Sequence, residues 1–93
     1  MKSVNLNVNL KDLECKDIEG QNIGKIVANV IATESKGDAL KIFGWAVEMT
    51  KGNCLLLDKS DFSTFKSLIS DNERLTILVK AQVLEILDAV KDE

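Results

Sequence analysis

Cys15 and Cys54 are the two thiols of the chain, and histidine is absent. A thiol or serine nucleophile therefore lacks an imidazole partner, and its activation would fall to a lysine, a carboxylate or a helix N-terminus. Cys54 stands in the apolar run "CLLL", where a thiol behaves as a small hydrophobe, so a structural role is expected. Cys15 lies in the charged segment "DLECKDIEGQN" and is the more accessible, so a thiol-dependent enzyme would have to use it. Metal chemistry has less to build on. The commonest ligand is missing, and the cysteines form no CxxC pair. No metal or other cofactor is expected, and no catalytic residue is assigned.

Two longer motifs come near to known ligand loops and stop short. "GQNIGK", Gly20 to Lys25, has one residue fewer between its glycines than a phosphate-binding P-loop, and Ile26 replaces the hydroxyl that would hold Mg²⁺. "DKSDFSTFKSLI", Asp58 to Ile69, has the length of a calcium loop, with acids at its first and fourth positions. Ser63 and Ile69 stand where such a loop needs its glycine and its bidentate glutamate. A loop entering a helix and a capped helix are the readings that these departures favour. The carboxylate pairs Asp58/Asp61 and Asp71/Glu73 sit at expected helix starts, where negative charge complements the helix dipole.

The hydropathy pattern outlines the elements that must position these residues. Val4, Leu6, Val8 and Leu10 alternate with polar residues, a period of two that predicts a half-buried strand over 3–10. Asn5, Asn7 and Asn9 then line its other face, either solvated or turned to a ligand or partner. The turn formers that follow suit a hairpin over 13–18. Asn22 caps a helix over 22–33, whose Ile23, Ile26, Val27, Val30 and Ile31 share one face, and "ESKGD" ends it. Asp38 caps a second helix over 38–51, which Gly52 stops in a left-handed turn. "CLLL" reads as a short buried strand, 54–57, paired with the first. Asp58 or Ser60 caps a third helix, 60–70, and "SDNE" breaks it and opens the last, 73–90. The expected fold is α+β: a small antiparallel sheet packed with about four helices, in a single domain over 1–93.

Charge and length exclude several classes. A net charge of −3 and a pI near 4.9 argue against a nucleic-acid surface, which depends on a basic patch. No apolar run approaches the roughly 18 residues that cross a bilayer, and the alternating N-terminus is unlike a signal peptide. A cytoplasmic protein with reduced thiols is expected. A chain this short buries about 60–70% of its unfolded surface, so self-association is the stabilising device left to it.

Three features point to association. The second helix is apolar over more than half its circumference, with Ile42, Trp45 and Met49 as interface candidates and Trp45 as the expected hot spot, because a large amphipathic ring suits an interface. On the last helix, Leu75, Val79, Val83, Ile86 and Val90 form the main stripe, while Ile77, Ala81 and Leu84 form a second patch on the opposite side. One small core has difficulty covering both, which makes Ile77 and Leu84 interface candidates too. Gln82 falls within the apolar face of that helix, either reaching a loop backbone or the solvent edge, or pairing with its symmetry mate.

The order "VNLNVNLKDLE", "IGKIVANVIA", "ALKIFGWAVEM", "DKSDFSTFKSLI" and "LVKAQVLEIL" resembles small phage and prophage accessory proteins of unassigned function. That resemblance implies a mobile-element origin, a bacterial host cytoplasm and an accessory role, with glycine expected in the turn where Cys15 stands. The reading favoured is a non-enzymatic phage accessory or assembly protein acting through protein–protein contacts, as a homo-oligomer with a phage or host protein as further partner. The alternative is a module that binds and sequesters a small molecule or nucleotide signal in a pocket at a subunit interface.

Overall fold

The computed structural model describes residues 2–33 and 38–90. The expected alternating strand over 3–10 is broken in the middle. Asn5 Oδ1 accepts from the Asn7 N–H at 2.9 Å, and the Val8 N–H folds back on the Leu6 carbonyl at 2.8 Å. An asparagine so placed offers the backbone a turn in place of a ladder. Two three-residue strands result, β1 (Lys2–Val4) and β2 (Asn9–Lys11), and they join different sheets. Asn5 thus bends the strand, while Asn7 Oδ1 accepts from Asn22 Nδ2 at 3.0 Å.

β2 pairs antiparallel with β3 (Asp17–Asn22), so the hairpin is wider than 13–18. Its register is irregular: Asn9 faces Asn22 and Lys11 faces Asp17, so β3 carries the surplus residues as a bulge. The turn between them is built on Asp12, whose Oδ1 accepts from the Glu14 and Lys16 N–H groups at 2.8 and 3.0 Å. Cys15 closes it at φ 65, a left-handed position where glycine is the ordinary residue.

α1 (Ile23–Ala32) starts where expected, with Asn22 Oδ1 accepting from the Lys25 N–H. Its first two N–H groups are satisfied from outside the helix, Ile23 by the Val8 carbonyl and Gly24 by the Leu6 carbonyl, each at 2.9 Å. Gly24 is needed for that approach, since a Cβ there would lie 3.1 Å from the Leu6 oxygen. The expected "ESKGD" stop falls largely on residues 34–37, outside the described residues.

α2 (Ala39–Thr50) is capped by Asp38 and packs on α1. It ends in a Schellman motif: the Asn53 N–H reaches the Glu48 carbonyl and the Gly52 N–H the Met49 carbonyl, with Gly52 at φ 81. β4 (Leu55–Leu57) then pairs antiparallel with β1. Leu55 and Leu57 are buried, but Leu56 and Cys54 are exposed, so the expected buried 54–57 strand is a half-buried one with solvent on one face.

α3 (Lys59–Ser70) is capped by Asp58 and packs against α4 (Ile77–Ala89). α4 starts later than the expected residue 73. Asn72 is buried, and its Oδ1 accepts from the Arg74 and Leu75 N–H groups, which turns 72–75 into a separate loop. Thr76 is the N-cap, with Oγ1 accepting from Val79. Asp71 and Glu73 therefore do not sit at a helix start; Asp71 is the C-cap of α3. The fold is α+β, with two small antiparallel sheets in place of one and four helices among the described residues. A single apolar core joins Val4, Leu6 and Leu10 to inward residues from all four helices and β4.

Candidate interaction site

On α4, the neighbouring pairs Ile77/Leu78, Ala81/Gln82 and Glu85/Ile86 repeat every four residues, so they share one side of the helix. Val79, Val83 and Leu87 occupy the core side. Facing that flank is the β2 end of the hairpin with its turn: Val8, Asn9, Lys11, Asp12, Leu13 and Cys15. Between the two walls lies an open groove of about 740 Å³, floored by Ile23. Its walls are mainly apolar, and the charges along it are Lys11, Asp12 and Glu85.

One polar clamp fixes the walls to each other. Gln82 Nε2 donates to the Lys11 carbonyl at 2.7 Å, and Gln82 Oε1 accepts from the Lys11 N–H at 3.0 Å. The amide thus acts as one more strand residue on the free edge of β2. This resolves the two sequence readings of Gln82 in favour of a backbone contact within the chain. Above the clamp, Leu13 is 92% exposed at the turn and Ile77 is 85% exposed at the start of α4. Two large apolar side chains on opposite lips of a groove form a surface that water covers poorly.

The interface candidates separate in the folded chain. Ile77 and Gln82 meet at this groove. Leu84 is half-buried against the core and does not line it. Ile42, Trp45 and Met49 face inward, so the expectation that they present surface does not hold: Trp45 is 8% exposed and meets Phe65 edge to face, with ring centroids 5.4 Å apart. The apolar excess of α2 lies on its other side, at Leu40 and Phe43, which are 86% and 64% exposed. Those two were missed, although 100° per residue puts them opposite Trp45 and Met49. Leu13, Val8 and Leu56 were missed as well, the first because a leucine in a charged turn carries no periodicity.

The chemical motifs resolve into structure. "GQNIGK" is the end of β3 and the capped start of α1, and "DKSDFSTFKSLI" is the cap and body of α3. Asp61 is engaged: Lys41 Nζ donates to its Oδ1 at 2.7 Å, bridging α2 and α3. That hydrogen bond, then the Asp61 charge, raises the Lys41 ammonium above its ordinary 10.5. Both cysteines are free and exposed, a correction for Cys54. Among the described residues, no three cysteine or carboxylate side chains gather as a metal site, and no helix is long and apolar enough to cross a membrane.

No protein-family model matches the chain, and no curated protein or solved structure matches it.

Proposed function

We propose that this chain is a non-enzymatic accessory or assembly protein of a phage or prophage, working in the host cytoplasm through protein–protein contacts as a homo-oligomer. The observation that carries the reading is the exposure of large apolar side chains in built positions rather than singly. Leu13 and Ile77 flank the groove, and Leu40 and Phe43 share one side of α2. Such groups favour association because each removes apolar area from water when covered. The groove suits a convex apolar ridge of a second protein, such as one face of an amphipathic helix. Asp12 and Glu85 on its rim favour basic residues flanking that ridge.

Sedimentation equilibrium at rising concentration tests the oligomer. A strict monomer throughout overturns it. Ile77→Asp and Leu13→Asp test the groove as a contact surface. Both should leave circular dichroism and stability within about 0.5 kcal/mol of the parent, because the sites are already solvated. The mobile-element origin rests on the resemblance of the ordered segments, and the neighbouring genes test it.

A second reading, sequestration of a small molecule, is favoured by the size of the groove. About 740 Å³ lies inside the roughly 300–1,000 Å³ of ligand pockets. The apolar lining points to an apolar small molecule more than to a nucleotide, whose phosphates would find Lys11 as the one cation among the described residues that line the groove. A thermal-shift panel covering both classes decides it, and no stabilisation by any member removes this reading.

A further inference from the structure

We propose that two copies of this chain pair through the outer stripe of α2, antiparallel, about a two-fold axis that passes between Phe43 and Gly44. The inference rests on the homo-oligomer reading and names the surface that performs it. Leu40, Phe43, Gly44 and Val47 follow the i, i+3, i+4, i+7 spacing, so they form one stripe along α2. The opposite side of the helix sends Ile42, Trp45 and Met49 into the core. A surface helix ordinarily turns polar residues outward. Here the outward stripe carries leucine and phenylalanine, 86% and 64% exposed.

Gly44 is the second, independent observation. It lies in the middle of α2, where glycine is the poorest helix former after proline. Among the described residues, a Cβ at Gly44 would meet nothing within 4 Å, so none of their packing excludes a side chain there. The glycine leaves a notch in the outward stripe that a large side chain of a second copy can enter.

The stripe complements itself in one arrangement. With the axis between Phe43 and Gly44, Phe43 of each copy lies over Gly44 of the other, and Leu40 lies against Val47 of the other. Large then meets small at the centre, as knobs meet holes between packed helices. A parallel pairing would set Phe43 on Phe43 and leave Gly44 facing an empty notch. The antiparallel pairing also opposes the two helix dipoles. The groove beside α4 cannot serve the same purpose, because a concave surface cannot fill its own copy across a two-fold axis. A convex helix ridge can.

The size of the contact sets its strength. Twelve residues of helix extend about 18 Å. One such stripe covers less than the roughly 800 Å² per partner of a standard interface. The dimer is therefore weak and reversible, and its concentration dependence is the measurement to make.

Gly44→Ala separates this proposal from a purely structural role. At concentrations where the chain is monomeric, the substitution should raise the melting temperature by a few degrees, since alanine is the better helix former and the space is open. The same substitution should weaken dimerisation about tenfold or more, because the added methyl lies under Phe43 of the other copy. Phe43→Asp should abolish dimerisation with the fold intact. In a Cys15→Ser, Cys54→Ser background, mixing Leu40→Cys with Val47→Cys chains should give a disulfide-linked heterodimer, while Leu40→Cys alone should not link. If the parent associates but Gly44→Ala and Phe43→Asp leave association unchanged, this pairing is overturned while the homo-oligomer reading stands. Linking by Leu40→Cys alone overturns the antiparallel geometry. A monomeric parent at all concentrations overturns both.

Discussion

The side-chain amide of Gln82 on α4 pairs with both backbone groups of Lys11 on β2, donating to its carbonyl at 2.7 Å and accepting from its N–H at 3.0 Å. The two residues are 71 positions apart, so this contact ties the N-terminal hairpin to the last helix. Net values of about 0.5–1.5 kcal/mol per hydrogen bond make the pair worth about 1–2 kcal/mol at a partly solvated site. Gln82→Ala should cost that much in urea unfolding and speed hydrogen exchange at the Lys11 amide. Gln82→Glu retains the acceptor but sets a carboxylate against the Lys11 carbonyl, so it should recover little. Equal stability of all three proteins would remove the clamp from the account.

Trp45 makes a different demand. Its ring is packed edge to face on Phe65 in the core, so truncation opens a cavity that the surroundings cannot fill. Trp45→Ala should cost about 3–5 kcal/mol, a large part of the roughly 5–15 kcal/mol typical of a whole domain. The expected outcome is loss of cooperative unfolding or a much lower melting temperature by circular dichroism. Near-parental stability with weakened self-association would instead make Trp45 a surface anchor.

The contrast between Trp45 and Leu40 shows what was legible in the sequence. The excess of apolar residues on α2 was readable, because a 12-residue helix exposes its composition at every angle. Which arc turns outward was not, since both arcs are apolar and the choice depends on where α1 and Phe65 of α3 arrive. Caps followed local rules and were readable: Asn22, Asp38 and Asp58 each accept from a first-turn N–H as their side chains dictate. Period alone failed at 3–10, where alternation continues through Leu6 and Val8 but the Asn5 side chain turns the backbone. The groove was half legible. Ile77 stood out as an apolar residue off the main stripe, whereas its opposite lip, Leu13, is set by a hairpin whose register bulges in a way no spacing announces.

Cys15 holds φ 65 in the turn that carries Leu13. A residue with a Cβ pays about 1–2 kcal/mol in that left-handed region, while glycine loses about 0.5–1 kcal/mol through its freer unfolded chain. Cys15→Gly should therefore stabilise the protein by up to about 1 kcal/mol. Cys15→Val should destabilise it by more than 1 kcal/mol, because a β-branched side chain fits positive φ worst. Denaturant midpoints for the pair check the sign at once. A destabilising glycine would show that the thiol makes a contact worth more than the backbone strain.

The Lys41–Asp61 bridge between α2 and α3 makes a small contribution to stability that depends on alkaline pH. The hydrogen bond to Asp61, followed by its charge, raises the Lys41 ammonium above the ordinary 10.5, with Asp38 and Asp58 adding to the pull and desolvation opposing it. The folded chain thus holds this proton to higher pH than the unfolded one. The contribution is fully present below about 10.5 and is lost as pH rises through the raised folded value. Lys41 is exposed and Asp61 half-buried, so the effect is small and screened by salt. The stability difference between the parent and Lys41→Met should be constant from pH 7 to about 10 and shrink above 10.5. Lys41→Arg keeps its charge at every accessible pH, so its difference from Lys41→Met should persist on the alkaline side. Urea midpoints for the three proteins at pH 8 and pH 11 give the comparison, and a parent that tracks Lys41→Arg at both would show that the ammonium does not titrate in this window.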